Sequence, residues 1–232
     1  MLVLLHGFTH TGASWDPVVA ELPGSYRVLA PDIRGHGSAS EVEPVSLEGV
    51  VEDIRTLEPV VLCGYSMGAR LALHVALAAP SVRRLVLIGG SPGLADPSDR
   101  AARRAADELL ADEIERLTIE EVADRWAAGT AVLAGQPASV AAAAREDRLR
   151  NTPAGLARAL RGLGTGALPS LWDRLGEIIV PVTLIVGEQD VKFRAIADQM
   201  APLFGGHAEV VVVPGSGHAV HLEAPQAVAA TM

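Results

Sequence analysis

Six short apolar runs, rich in Val, Ile and Leu, punctuate the chain: Met1 to Leu5, Tyr26 to Ala30, Val60 to Cys63, Leu85 to Ile88, Val182 to Val186 and Val210 to Val213. A strand with one wet face alternates apolar and polar residues, whereas a strand covered on both faces reads as a continuous apolar run. These runs are continuous, so they predict strands of a parallel sheet sandwiched between helices. Helix-like segments lie between several of them, for example Gly68 to Ala79, which Pro80 stops. Alternating strand and helix predicts right-handed crossovers and a mostly parallel, doubly wound α/β sheet. Ligands of such sheets gather beyond the carboxyl ends of the strands. The polar motifs fall there: His6-Gly7-Phe8, Asp32, Ser66, Gly89-Gly90, Asp190 and His218 each follow an apolar run.

Between Pro92 and Gly176 the pattern breaks into Ala-, Arg- and acid-rich sequence with helical spacing. This predicts a helical cap over residues 92–176, inserted into a core formed by residues 1–91 and 177–232. The cap holds 11 of the 19 basic residues, all arginine, against 13 acids. Arginine gathered near a site mouth suits an anionic substrate, although Arg–Glu and Arg–Asp pairs that solvate helices account for most of these residues. The formal net charge of −9 argues against an electrostatic grip on nucleic acid or anionic lipid. No run approaches the length of a membrane span, and the chain enters a strand-like stretch without a basic region and cleavage site. One cysteine cannot form an internal disulfide, so a cytoplasmic setting is expected, with Cys63 in the core. No Cys and His spacing suggests zinc, and neither metal nor cofactor is expected.

Gly64-Tyr65-Ser66-Met67-Gly68 stands between a predicted buried strand and a predicted helix. In that setting Gly-x-Ser-x-Gly is a nucleophile elbow: small neighbours admit a strained turn that lifts the hydroxyl above the sheet. The helix that follows adds backbone N–H groups and a positive dipole end. A serine hydroxyl needs an adjacent imidazole, and the imidazole needs a carboxylate to fix its tautomer. The α/β-hydrolase fold, expected here, takes these in the chain order Ser, acid, His. Asp190, in Gly187-Glu188-Gln189-Asp190, and His218, in Gly215-Ser216-Gly217-His218, satisfy order and position, with Glu188 and His221 as their competitors. The backbone amides of Phe8 and Met67 are the expected oxyanion hole. His6 is expected to shape the loop before that hole and His36 to brace its own loop. His10, His74 and His207 read as surface or satisfied packing positions.

The segments LHGFTHTGASW, DIRGHGSA, GYSMGAR, GGSPGL, RGLGTGALPSLW, GEQDVKF and GHAVHLEAPQ run almost end to end. Together they resemble the 2-succinyl-6-hydroxy-2,4-cyclohexadiene-1-carboxylate (SHCHC) synthase family of menaquinone biosynthesis. The resemblance implies a lyase that eliminates pyruvate from 2-succinyl-5-enolpyruvyl-6-hydroxy-3-cyclohexene-1-carboxylate, with Ser66 as the base. A substrate with several carboxylates calls for cations, and the family pattern assigns this work to Arg70, Arg103 and Arg150. Arg100, Arg104 and Arg148 stand as alternative registers. Tyr65 and Trp126 fall where the family places aromatic pocket residues, while Lys192 and Phe193 carry no assigned role. Relative to the family, the N-terminal strands are expected to be largely missing and the last helix short.

The triad alone serves ester cleavage equally well. A carboxylesterase-like serine hydrolase is therefore the alternative expectation, and a non-catalytic binding protein on the same fold is a third. No oligomeric state is predicted.

Overall fold

The computed structural model describes residues 1–130, 133 and 135–232. Its sheet has six parallel strands: β1 (Leu2–Leu5), β2 (Val28–Leu29), β3 (Val61–Tyr65), β4 (Arg84–Ile88), β5 (Val182–Gly187) and β6 (Ala208–Val213), in the order β2-β1-β3-β4-β5-β6. All six predicted runs are strands. β2 is the shortest, a half-buried edge strand that pairs only with β1, through Leu2 with Val28 and Val3 with Leu29.

The two faces divide the side chains with the period of a strand. Val3, Leu5, Leu62, Leu85, Leu87 and Leu184 point to one side, where they meet α2 (Leu47–Arg55), α3 (Met67–Ala78) and α8 (Val191–Met200). Leu2, Leu4, Cys63, Val86, Ile88 and Ile185 point to the other, against α1 (Asp16–Glu21), α9 (Val220–Glu223) and α10 (Pro225–Ala229). Covering both faces is what allows the strands to be apolar at every position. Burial of Cys63 in this second layer pushes its thiol pKa up and makes it a packing residue.

Between β4 and β5 the chain leaves the sheet and forms α4 (Pro97–Ile114), α5 (Ile119–Gly129), α6 (Ala138–Arg148) and α7 (Pro153–Leu163). Ala111, Ile114, Val122, Leu156, Ala157 and Leu160 give these helices a small core of their own. The two ends of the excursion are tied together. Leu171 N–H donates to Pro92 O at 2.8 Å, and the Trp172 indole donates to Gly93 O at 3.0 Å. Most arginines of this excursion pair with acids, as in Arg125–Glu113 and Arg145–Asp124. Among the described residues, no helix is long and apolar enough to cross a membrane.

From β1 the chain moves one way to β2, then returns to the far side of β1 for β3. The crevice of a doubly wound sheet opens at such a reversal. It places the loop after β1 beside the turn after β3, which carry Phe8 and Ser66.

Candidate active site

Ser66 occupies the turn between β3 and α3 with φ +52° and ψ −108°, outside the regions open to ordinary L-residues. The flanking glycines explain how the turn closes. A Cβ on Gly64 would lie 2.3 Å from Gly68 O, and one on Gly68 would lie 2.2 Å from Leu5 O. Ser66 N–H is anchored to Ile88 O at 2.8 Å, so the strain is held by the sheet.

His218 stands in the loop after β6. Its Nε2 lies 3.2 Å from Ser66 Oγ, and its Nδ1 lies 2.6 Å from Asp190 Oδ2. Asp190 and His218 are both buried. Asp190 also caps α8, its Oδ1 accepting from Phe193 N–H at 3.3 Å, which fixes the carboxylate. An ionised acid opposite Nδ1 makes that nitrogen the donor and leaves Nε2 to accept from the serine. Glu188, the competing acid, is exposed and accepts from Gly215 N–H at 2.9 Å instead. His221 is buried against Tyr65, with ring centroids 4.1 Å apart, and neither of its nitrogens has a partner among the described residues.

Met67 is the first residue of α3, where an amide has no intrahelical acceptor. The Phe8 amide also donates to no group among the described residues. Both are thus available to an oxyanion. His6 secures the Phe8 loop: Ile33 N–H donates to His6 Nε2 at 2.9 Å, so Nδ1 carries the proton it shares with Gly7 O. Burial pushes the His6 pKa down to about 4, and burial with the neighbouring His6 pushes His36 down to about 3. Both rings are therefore neutral braces.

Two lobes of one cleft meet at Ser66. The first is lined by Met67, Arg70, Arg103, Leu160 and Thr165. The second is lined by His10, Tyr65 and His218, and Phe8 and Trp126 border both. Arg70, one turn along α3, is buried, and its Nε and Nη1 have no partner among the described residues. Burial first, and then the nearby Arg103, lowers its pKa to about 10, against the pull of Asp107. Arg103 Nε donates to Asp107 Oδ1 at 2.6 Å while its side chain stays 47% exposed at the cleft. The structure thus brings Tyr65, Ser66, Arg70, Arg103 and Trp126 together.

Arg150 does not join them. Its side chain is 64% exposed and lies in a separate surface depression with Thr11, Asp32 and Ser38. Arg148, two residues earlier, is the one that turns inward. α6 ends at Arg148, where Asp147 and Arg148 both pack inward, and the chain then turns outward through Arg150. Asn151 pins that turn, accepting from Gly37 N–H at 3.0 Å and donating to Thr9 O at 2.8 Å. Arg148 is buried and reaches Thr9 Oγ1 at 3.3 Å, with its Nη2 unpartnered among the described residues.

The remaining histidines divide. His207 is exposed, and His74 is buried one turn beyond Arg70. His10 is a cleft-lining residue that sequence reasoning left as packing. Its partner Asp147 is far off in the chain, and no local motif joins the two.

A profile described as the Alpha/beta hydrolase family matches residues 2–231. A candidate SHCHC synthase of Bacillus subtilis (strain 168) is 38% identical over 237 residues, covering 97% of this chain and 86% of that protein. The SHCHC synthase of Salmonella schwarzengrund (strain CVM19633) is 33% identical, with 98% and 90% covered. The chain belongs to the SHCHC synthase family of α/β hydrolases. Its fold is also that of MenH from S. aureus, with a TM-score of 0.92 and 29% identity over 99% of this chain and 90% of that one.

Proposed function

We propose that this chain is an SHCHC synthase: a carbon–oxygen lyase that eliminates pyruvate from 2-succinyl-5-enolpyruvyl-6-hydroxy-3-cyclohexene-1-carboxylate in menaquinone biosynthesis. The observation that carries the proposal is Arg70. Among the described residues no carboxylate bonds its guanidinium, and a buried guanidinium is costly unless an anion completes it. It lies in the cleft that Ser66 opens onto. Neutral ester cleavage needs no such group.

Ser66, His218 and Asp190 are the catalytic triad in this reading. Ser66 Oγ takes the carbon-bound proton beside the succinyl carbonyl as its own proton passes to His218 Nε2. Asp190 stabilises the imidazolium. The Phe8 and Met67 amides hold the enolate oxygen, a task for which such donors are each worth about 2.7–4 kcal/mol. The electron pair of the broken C2–H bond then forms C2=C3, the C3=C4 pair shifts to C4=C5, and the C5–O bond breaks with its pair leaving on oxygen. The proton on His218 is available to the departing enolpyruvate, which becomes pyruvate. Arg70, Arg103 and Arg148 bind the carboxylates, with Tyr65 and Trp126 as apolar walls. Helices α4–α7 act as the cap. The buried, unpaired Cys63 accords with a cytoplasmic setting.

The test is turnover of the enolpyruvyl precursor, followed by diene absorbance and by pyruvate release. Both signals should rise together and vanish in Ser66→Ala. No turnover by folded enzyme, with rapid hydrolysis of small esters that ignores Arg70→Ala, would instead make the protein an esterase.

A further inference from the structure

The second lobe of the cleft holds an imidazole–carboxylate pair besides that of His218. His10 Nδ1 lies 2.9 Å from Asp147 Oδ2. That carboxylate is itself fixed: Thr11 N–H donates to Oδ2 at 2.9 Å, and Thr11 Oγ1 donates to Oδ1. Burial opposes the charge on Asp147, but these donors outweigh it and hold its pKa below the usual carboxylate range. A carboxylate that accepts from Nδ1 makes that nitrogen the proton-bearing one. The Nε2 lone pair of a neutral His10 is then the hydrogen-bond acceptor.

The surroundings keep the ring neutral. Burial lowers its pKa, Asp147 opposes this, and Arg148 on α6 with His218 after β6 lowers it further. Tyr65 from β3 and His221 from α9 face it with uncharged rings, at centroid distances of 6.1 and 5.9 Å. Nε2 has no hydrogen-bond partner among the described residues, and His10 lines the lobe that holds Ser66 and His218. Ser66 and His218 in the same lobe are engaged with each other. The arginines and the two oxyanion amides can only donate, and the hydroxyls of Tyr65, Thr130 and Thr165 can do either, so His10 Nε2 is the cleft's nitrogen acceptor outside the triad.

We infer that His10 Nε2 accepts a hydrogen bond from the ring hydroxyl of the substrate and so selects for a hydroxylated ring, with Asp147 as the residue that positions it. The inference rests on the proposed reaction, in which the 6-hydroxyl persists from substrate to product. A site that pairs a buried acceptor with a substrate hydroxyl discriminates strongly against the analogue lacking it.

The test compares the precursor with its 6-deoxy analogue in the wild-type protein, His10→Asn and His10→Met. Asn keeps a donor for Asp147 and removes the cleft-facing nitrogen, while Met fills similar volume with neither nitrogen. In the wild type, losing the hydroxyl should raise KM about 10-fold or more with kcat within about threefold. In His10→Asn the hydroxylated precursor should show that same raised KM, and removing the hydroxyl should then cost nothing further. His10→Met should lose the preference too. Fluorophosphonate labelling of Ser66 at the wild-type rate reports an intact triad in each variant. A wild-type hydroxyl preference that survives in either labelled variant overturns the inference and leaves the proposed function standing. So does an equal loss on both substrates, which marks His10 as structural. A wild-type protein inert toward the precursor overturns both.

Discussion

His218 Nδ1 and Asp190 Oδ2 stand 2.6 Å apart, both buried, although 28 positions separate them in the chain. Asp190→Asn keeps the shape but presents an amide to Nδ1, favouring the tautomer that cannot accept the serine proton. The expected loss in kcat is on the order of 10³–10⁴-fold, with little change in KM. Glu188→Gln, at the exposed turn that meets Gly215, should stay within about twofold of wild type, since surface changes away from a site have small effects. Steady-state kinetics on the pair checks the assignment, and a severe loss in Glu188→Gln would reverse it.

Arg70 should trade stability for binding. Its pKa, lowered to about 10 mainly by burial, means that the folded state holds this cation against a penalty at every pH below that value. Arg70→Met removes the penalty and fills the space with apolar atoms, a change that is often neutral or stabilising. Thermal melting should show a Tm unchanged or raised by about 2–4 °C. Over the same comparison kcat/KM for the polycarboxylate should fall about 10²-fold, and hydrolysis of a small neutral ester should not. Equal losses on both substrates would make the arginine structural.

The strands were legible because burial on both faces leaves a continuous apolar run, and Ser66, Asp190 and His218 because each follows such a run in a fixed order. The inward turn of Arg148, one of the registers the sequence left open, was not. Arg148 and Arg150 sit two residues apart at the end of α6, on nearly opposite sides of a helix. Which one turns inward depends on where α6 stops, and that is set by Asn151 reaching Gly37 and Thr9 more than 100 positions away. His10 was hidden for the same reason: its meaning comes from Asp147, 137 positions on.

Buried neutral histidines should make the fold sensitive to acid. The folded-state pKa values of His6 and His36, about 4 and about 3, lie below the ordinary value of 6.5. The unfolded chain therefore binds protons that the folded one refuses. Stability is full above pH 6.5 and falls as the pH drops toward 4, by at most about 1.4 kcal/mol per pH unit for each such ring. Urea midpoints taken from pH 7.5 to 4 should show this decline. In His36→Phe, which keeps the ring against His6 and Phe8, the decline should be shallower by about one ring's share. An identical slope would show that carboxylates alone set the acid limit.

Arg161 clamps α7 to α4. It reaches Glu108 at 2.8 Å and Asp112 at 2.6 Å on α4, and Glu115 just beyond it at 2.6 Å. Isolated surface pairs contribute little, but one planar guanidinium shared by three carboxylates forms a network, and removing it leaves three like charges crowded on one helix end. Arg161→Gln should cost about 1 kcal/mol at low ionic strength, read from urea unfolding. Most of that loss should disappear at 1 M salt, where the Debye length is about 3 Å. Because the cluster faces solvent, the labelling rate of Ser66 should not move. A cost that persists undiminished in salt would assign Arg161 a packing role through its methylene stem.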